Sequence, residues 1–141
     1  MFIYKILLFP LFIILSITLN SNAQFIGGRI DIPFKLSLSQ DNDKIKVNFK
    51  LKGDAHIYKD SISIEEIPNY KIKFPYSINK LDKFSNKRRD LYDRDFSLII
   101  NLKDLKIKNN QVNLTVKYQG CTSKVCFLPQ RQKLTLNFNK R

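Results

Sequence analysis

The chain has 141 residues, 43% of them hydrophobic and 26% charged, a balance close to that of globular proteins and far from that of disordered ones. This length holds one ordinary domain and excludes multidomain enzymes and long repeat arrays. With 25 Lys and Arg against 12 Asp and Glu, the formal net charge of +13 favours anionic partners. Lys, Ile and Asn are all frequent and share A/T-rich codons, so genome composition accounts for part of that excess.

Lys5 precedes an uncharged, largely apolar run over residues 6–19, interrupted by Pro10 and Ser16, and Ser21-Asn22-Ala23 then places small residues where a signal peptidase reads them. This pattern predicts a secretory signal peptide over residues 1–23, cleaved after Ala23, with the mature chain starting at Gln24. The run falls short of the ~20 residues that span a bilayer comfortably, which argues against a retained anchor. Its removal would leave 118 residues and a net charge of +12, because Lys5 is the only charged side chain lost. Both cysteines, Cys121 and Cys126, remain, and in an oxidising compartment such a pair is expected to form a disulfide.

Beyond the leader the hydrophobic period is two. It runs through Ile30, Ile32, Phe34, Leu36 and Leu38, through Ile45, Val47, Phe49 and Leu51, through Ile62 and Ile64, and through Tyr70, Ile72 and Phe74. It returns in Phe96, Leu98, Ile100 and Leu102, in Val112, Leu114, Val116 and Tyr118, and in Leu134, Leu136 and Phe138. Each run has one face for a core and one for water, which predicts seven short strands. Turn clusters such as Gln40-Asp41-Asn42-Asp43, Lys52-Gly53-Asp54 and Lys108-Asn109-Asn110 separate them. The fold class expected is all-β, an immunoglobulin-like antiparallel β-sandwich over residues 24–141, with a small closed barrel as the alternative. Residues 75–94 break the spacing and read as a long connection with a few apolar anchors, either a functional loop or a solvated edge.

Most site chemistry lacks its residues. His56 is the one histidine, too few for a zinc site or a hydrolytic triad, and in a strand it reads as a packed or surface side chain. No metal or organic cofactor is expected. Export makes a nucleic-acid partner improbable despite the charge. The cysteines remain. They enclose Thr122-Ser123-Lys124-Val125, so their bridge closes a ring of six residues at the tip of a hairpin. By chain entropy a ring of that size stabilises by only roughly 2 kcal/mol, a weak staple. A bridge at a hairpin tip is expected to be accessible and exchangeable, and Lys124, with Lys117 and Arg131 close in sequence, would favour a thiolate. The other reading is a structural clip in a non-catalytic, basic envelope binding module whose Lys-rich face meets acidic partners.

Val116-Lys117-Tyr118-Gln119-Gly120-Cys121, continuing through Cys126-Phe127-Leu128-Pro129, resembles the active-site segment of the N-terminal periplasmic domain of the bacterial thiol:disulfide interchange protein DsbD. Leu51 to Tyr58, Asp82-Lys83-Phe84-Ser85-Asn86 and Leu91 to Asp95 resemble the segments that family carries before its third strand, in its cap loop and after it. The resemblance implies an immunoglobulin-like sandwich that takes reducing equivalents from a membrane thiol electron transporter, here a separate protein, and passes them to periplasmic thioredoxin-like proteins. It further implies that Cys126 forms the mixed disulfide, that Cys121 resolves it, and that Phe84, in a cap loop with Asp82, covers the pair. Tyr58, Tyr118 and Pro129 would support the site, the redox-active disulfide would be the only redox group, and the domain would act as a monomer. A single Pro129 where many members have two, and Lys83 at a cap-loop position that is acidic in better-known members, are the departures.

Overall fold

The computed structural model describes residues 31–138, so the expected signal peptide over residues 1–23, its cleavage after Ala23 and the Ile30 end of the first alternating run lie outside the described residues. Eleven strands follow in chain order: β1 (Phe34–Asp41), β2 (Lys44–Leu51), β3 (His56–Tyr58), β4 (Ser63–Ile64), β5 (Ile72–Lys73), β6 (Ile78–Asp82), β7 (Lys87–Tyr92), β8 (Phe96–Asn101), β9 (Gln111–Tyr118), β10 (Gly120–Cys121) and β11 (Gln130–Asn137). Three short 3-10 turns, at Lys59–Ser61, Asn69–Lys71 and Leu102–Asp104, are the helical pieces among the described residues.

The strands pair antiparallel in the orders β1-β2-β8-β5, β10-β3-β7-β6 and β11-β9-β4. The long strands are those with the cleanest alternation. In β2, Ile45, Val47 and Phe49 are buried while Lys44 and Lys50 are exposed and Lys46 and Asn48 lie on the other face, and Leu98 and Ile100 of β8 continue the buried face. Val112, Leu114 and Val116 of β9 with Leu134 of β11 supply the opposing face, and Ile57 and Tyr92 join the same cluster from β3 and β7. Burying such side chains is worth about 1.5–3 kcal/mol each relative to exposure, which makes this face-to-face core the main driving force of the fold. The architecture is the immunoglobulin-like sandwich that the periodicity predicts.

Asparagine shapes the tight connections. Asn42 (φ 54°) turns β1 into β2, Asn86 (φ 53°) closes the loop before β7, and Asn109 and Asn110 (φ 51° and 56°) lead into β9. Asn tolerates this left-handed region better than other non-glycine residues.

Two expectations are corrected. Residues 75–94 are not an open connection: β6 and β7 form a hairpin, with Ile78 opposite Leu91 and Asp82 opposite Lys87. Its strands are mostly exposed and charged, so no alternation announces them. The run at Tyr70, Ile72 and Phe74 is also not a full strand, because Asn69–Lys71 is a 3-10 turn that leaves Tyr70 exposed, and only Ile72–Lys73 pairs with β8. Seven expected strands therefore become eleven, the additions being short or exposed.

Candidate functional site

The cysteines lie in the connection between β9 and β11, which form a hairpin with Tyr118 opposite Gln130. Cys121 and Cys126 are disulfide-bonded, so the ring does sit at the hairpin tip. The tip is shaped by its own backbone. Thr122 donates from its N–H to the Val125 carbonyl (2.8 Å), Phe127 donates to the Gly120 carbonyl (3.0 Å), and the Thr122 hydroxyl accepts from the N–H groups of Lys124 and Val125. Gly120 is required by close approach: a Cβ there would stand 2.4 Å from Cζ of Phe34 and 2.6 Å from the His56 carbonyl oxygen. Without that side chain β10 can lie against β3, with Gly120 opposite Ile57 and Cys121 opposite His56.

This pairing, rather than the ring itself, builds the site. Cys121 is fully buried, in a small apolar cluster with Tyr58 and Leu91, while Cys126 at the edge of that cluster is half-buried. The bridge is thus less accessible than expected, and the two sulfurs are unequal. β3 is paired with β10 on one side and with β7 on the other, where Tyr58 faces Leu91. Tyr58 consequently reaches across the sulfurs, its hydroxyl 3.1 Å from Sγ of Cys121 and 3.8 Å from Sγ of Cys126. The same hydroxyl lies 2.9 Å from Oδ1 of Asp82. A disulfide sulfur carries no hydrogen, so in this state the hydroxyl is the donor, and the carboxylate is its stronger acceptor.

Asp82, at the end of β6, is buried at 4% exposure yet ionised. Burial pushes its carboxyl up, but the hydrogen bonds from the Ser85 and Tyr58 hydroxyls and the N–H groups of Phe84 and Ser85 outweigh it and hold the group at about 2. Burial, followed by Asp82, pushes the Tyr58 hydroxyl up to about 12, and Arg89 acts in the opposite direction. His56 is half-buried with its ring edge-on to Tyr58, and burial pushes its pKa down.

Phe84 stands in the loop between β6 and β7, 44% exposed. Asp82 caps that loop through the Phe84 and Ser85 amides, and Lys83 reaches the ring, its Nζ donating to the Ser123 carbonyl. Asp54, from the turn before β3, accepts from the Ser123 N–H at 2.9 Å. Between loop and ring lies a cavity of about 400 Å³ lined by Asp54, His56, Leu81, Asp82, Lys83 and Ser123 among others.

The structure thus joins Cys121, Cys126, Tyr58 and Asp82, while Phe84 stands on the loop that Asp82 caps, with Nζ of Lys83 5.2 Å from its ring centroid. Tyr118 and Pro129 stand apart: Tyr118 packs edge-on against Phe34 and Phe49 in the main core, and Pro129 is exposed just before β11. Lys117 and Arg131, expected to favour a thiolate, both pair with Glu65, at 3.0 and 2.8 Å, so one carboxylate offsets part of their charge. Sequence reasoning missed Arg89, Ser85 and Asp54. For Ser85 a signal existed, the Asp-x-x-Ser spacing of a side-chain-capped loop. Arg89 was concealed within the charged stretch Lys87-Arg88-Arg89-Asp90.

Fold and site together define an immunoglobulin-like domain that holds a short-ring disulfide against a buried Tyr–Asp pair. Residues 23–137 match the family described as "Thiol:disulfide interchange protein DsbD, N-terminal", and the chain belongs to that family. A curated relative, the thiol:disulfide interchange protein DsbD of Photorhabdus laumondii subsp. laumondii, is 26% identical over 111 residues, which are 77% of this chain and 19% of the relative. The chain therefore spans about a fifth of that protein's length. Among solved structures, the reduced form of the Neisseria meningitidis DsbD N-terminal domain superposes with a TM-score of 0.62 at 20% identity, covering 77% of this chain and 87% of that one. The complex of the DsbD and PilB N-terminal domains of the same organism gives 0.55 at 21% identity, with 75% and 84% covered. These two likenesses support the fold.

Proposed function

We propose that this domain performs thiol–disulfide exchange through Cys121 and Cys126, relaying reducing equivalents from a membrane thiol electron transporter to thioredoxin-like proteins in the periplasm after export by the leader at residues 1–23. The observation that carries this reading is the unequal burial of the two sulfurs under one hydroxyl, with Cys121 buried, Cys126 half-buried and the Tyr58 hydroxyl within reach of both. An external sulfur meets Cys126 first. In the reduced domain, the Cys126 thiolate attacks the partner's disulfide and forms a mixed disulfide, expelling one partner thiolate. Cys121, having given up its proton, then attacks Sγ of Cys126, the mixed bond breaks, and the partner leaves as a dithiol while the Cys121–Cys126 bridge re-forms. No metal or organic cofactor takes part. In this reading Phe84 is the cover of the pair, on a loop tied to Tyr58 by Asp82 and to the Ser123 carbonyl by Lys83. Family membership supports the reading, as does the fact that the Neisseria relative has been solved in complex with another protein's domain.

The test is capture. Cys121→Ala should accumulate a covalent complex with an oxidised thioredoxin-like protein on non-reducing gels, because the mixed disulfide on Cys126 has nothing to resolve it. Cys126→Ala should capture none. If neither variant captures a partner and the wild-type bridge resists reduction by a thioredoxin-like donor, the bridge is a structural clip and the domain a binding module.

A further inference from the structure

The Tyr58 ring is held from its face as well as from its hydroxyl. Arg89, on β7 two residues before Leu91, faces the same side of the sheet as Tyr58 and lays its guanidinium carbon 3.7 Å from the ring centroid. Its own position is set by Asp60 in the turn after β3, an ion pair of 2.5 Å that leaves the Arg89 side chain only 26% exposed. A cation over an aromatic face is attracted by the ring's quadrupole, most strongly when the pair is partly desolvated, and it draws electron density from the ring substituent. Here that substituent is the hydroxyl that contacts both sulfurs and Asp82.

We propose that Arg89 is a positioning residue for the exchange reaction: its guanidinium fixes the Tyr58 ring and makes the Tyr58 hydroxyl a better hydrogen-bond donor to the sulfur that leaves as a thiolate. This inference rests on the exchange chemistry proposed above. In the reductive direction a thiolate attacks Sγ of Cys126, a bond forms between the two sulfurs, the Cys121–Cys126 bond breaks, and its electron pair remains on Sγ of Cys121. That sulfur is buried, and the donor nearest it is Tyr58. A buried anion is costly unless hydrogen-bonded, so the strength of this one donor sets how readily Cys121 leaves. A second thiolate of the reductant then attacks the mixed disulfide, releasing Cys126 and closing the oxidised reductant on itself.

The experiment follows reduction of the purified oxidised domain by dithiothreitol at pH 7, in a cycle of wild type, Arg89→Gln, Tyr58→Phe and the double variant. Arg89→Gln should slow reduction roughly threefold to tenfold in the wild-type background, the range expected for a partly buried cation–π contact. In the Tyr58→Phe background it should change the rate by less than about twofold, because the hydroxyl through which it acts is gone. Equal slowing in both backgrounds would mean that Arg89 acts by net charge or by holding the fold together, and no slowing in either would mean that it does nothing; each overturns the inference. Should Arg89→Gln not fold, Asp60→Asn, which frees the guanidinium from its anchor, takes its place with a smaller slowing that the Tyr58→Phe background should again remove. A wild-type bridge that dithiothreitol leaves intact would instead overturn the exchange reading itself.

Discussion

The hydroxyl of Tyr58 lies 3.1 Å from Sγ of Cys121, a residue 63 positions further along the chain, and 2.9 Å from the carboxylate of Asp82. One hydrogen thus has two claimants. In the disulfide state the carboxylate takes it, and when a thiolate develops on Cys121 the sulfur competes for it.

Tyr58→Phe removes that shared donor while keeping the ring. The oxidised domain should lose about 1.5–3 kcal/mol, the usual worth of a hydrogen bond to a charged group, and its bridge should be reduced more slowly. Urea unfolding of the oxidised protein and dithiothreitol kinetics read the two effects. An unchanged reduction rate would show that the hydroxyl does not serve the leaving sulfur.

Asp82 links stability to acid. Its carboxyl, held at about 2 in the folded state against an ordinary value of 3.8, contributes stability that is fully present above that ordinary value and is lost as pH falls toward about 2. The urea midpoint of the wild type should therefore drop between about pH 4 and pH 2, and Asp82→Asn should flatten part of that drop. Glu65, held at about 2 by its hydrogen bonds from Arg131 and Lys117, should account for a remaining part. Wild-type and Asn curves of the same shape would mean that the fold does not lower the Asp82 carboxyl.

Phe84→Ala tests the cover. The side chain is 44% exposed on a loop whose backbone is held by Asp82, so its loss should change stability by only about 0.5 kcal/mol. Reduction by small thiols should become faster. Equal rates would leave the loop between β6 and β7 as an ordinary hairpin turn.

Gly120→Ala should be costly for its size. The added methyl would meet Phe34 and the His56 carbonyl at well under contact distance, and relief requires moving β10 away from β3. Overpacking of this kind costs about 1–3 kcal/mol, read from thermal or urea unfolding. The displaced Cys121 should also lose its contact with Tyr58, so the reduction rate should change along with stability.

Much of the scaffold is legible in the residues themselves. β2, β8, β9 and β11 alternate because one face of each meets the core and the other meets water, and that pattern is local. The cysteine ring is equally local, being closed within six residues. Composition and spacing alone left its chemistry undecided between exchange and a clip, and the places of Tyr58, Asp82 and Phe84 were legible only through the likeness to a family.

Tertiary structure alone decided the rest. β6 and β7 pair with little help from alternation because their side chains are mostly in water, and their pairing brings Asp82 and Arg89 to Tyr58. Lys117 and Arg131 look in sequence like an electropositive setting for a thiolate, but Glu65, far off in sequence beside β4, pairs with both and offsets part of their charge. Which residue stands opposite which across distant strands depends on the register of β3 between β10 and β7, and no short stretch of sequence encodes a register. The amino-acid sequence by itself determined a β-sandwich with a short cysteine ring at one hairpin tip. The burial of Cys121 and the single hydroxyl it shares with Cys126 and Asp82 came from the docking of three strands, because hydrogen bonds and desolvation act on distances in space rather than along the chain.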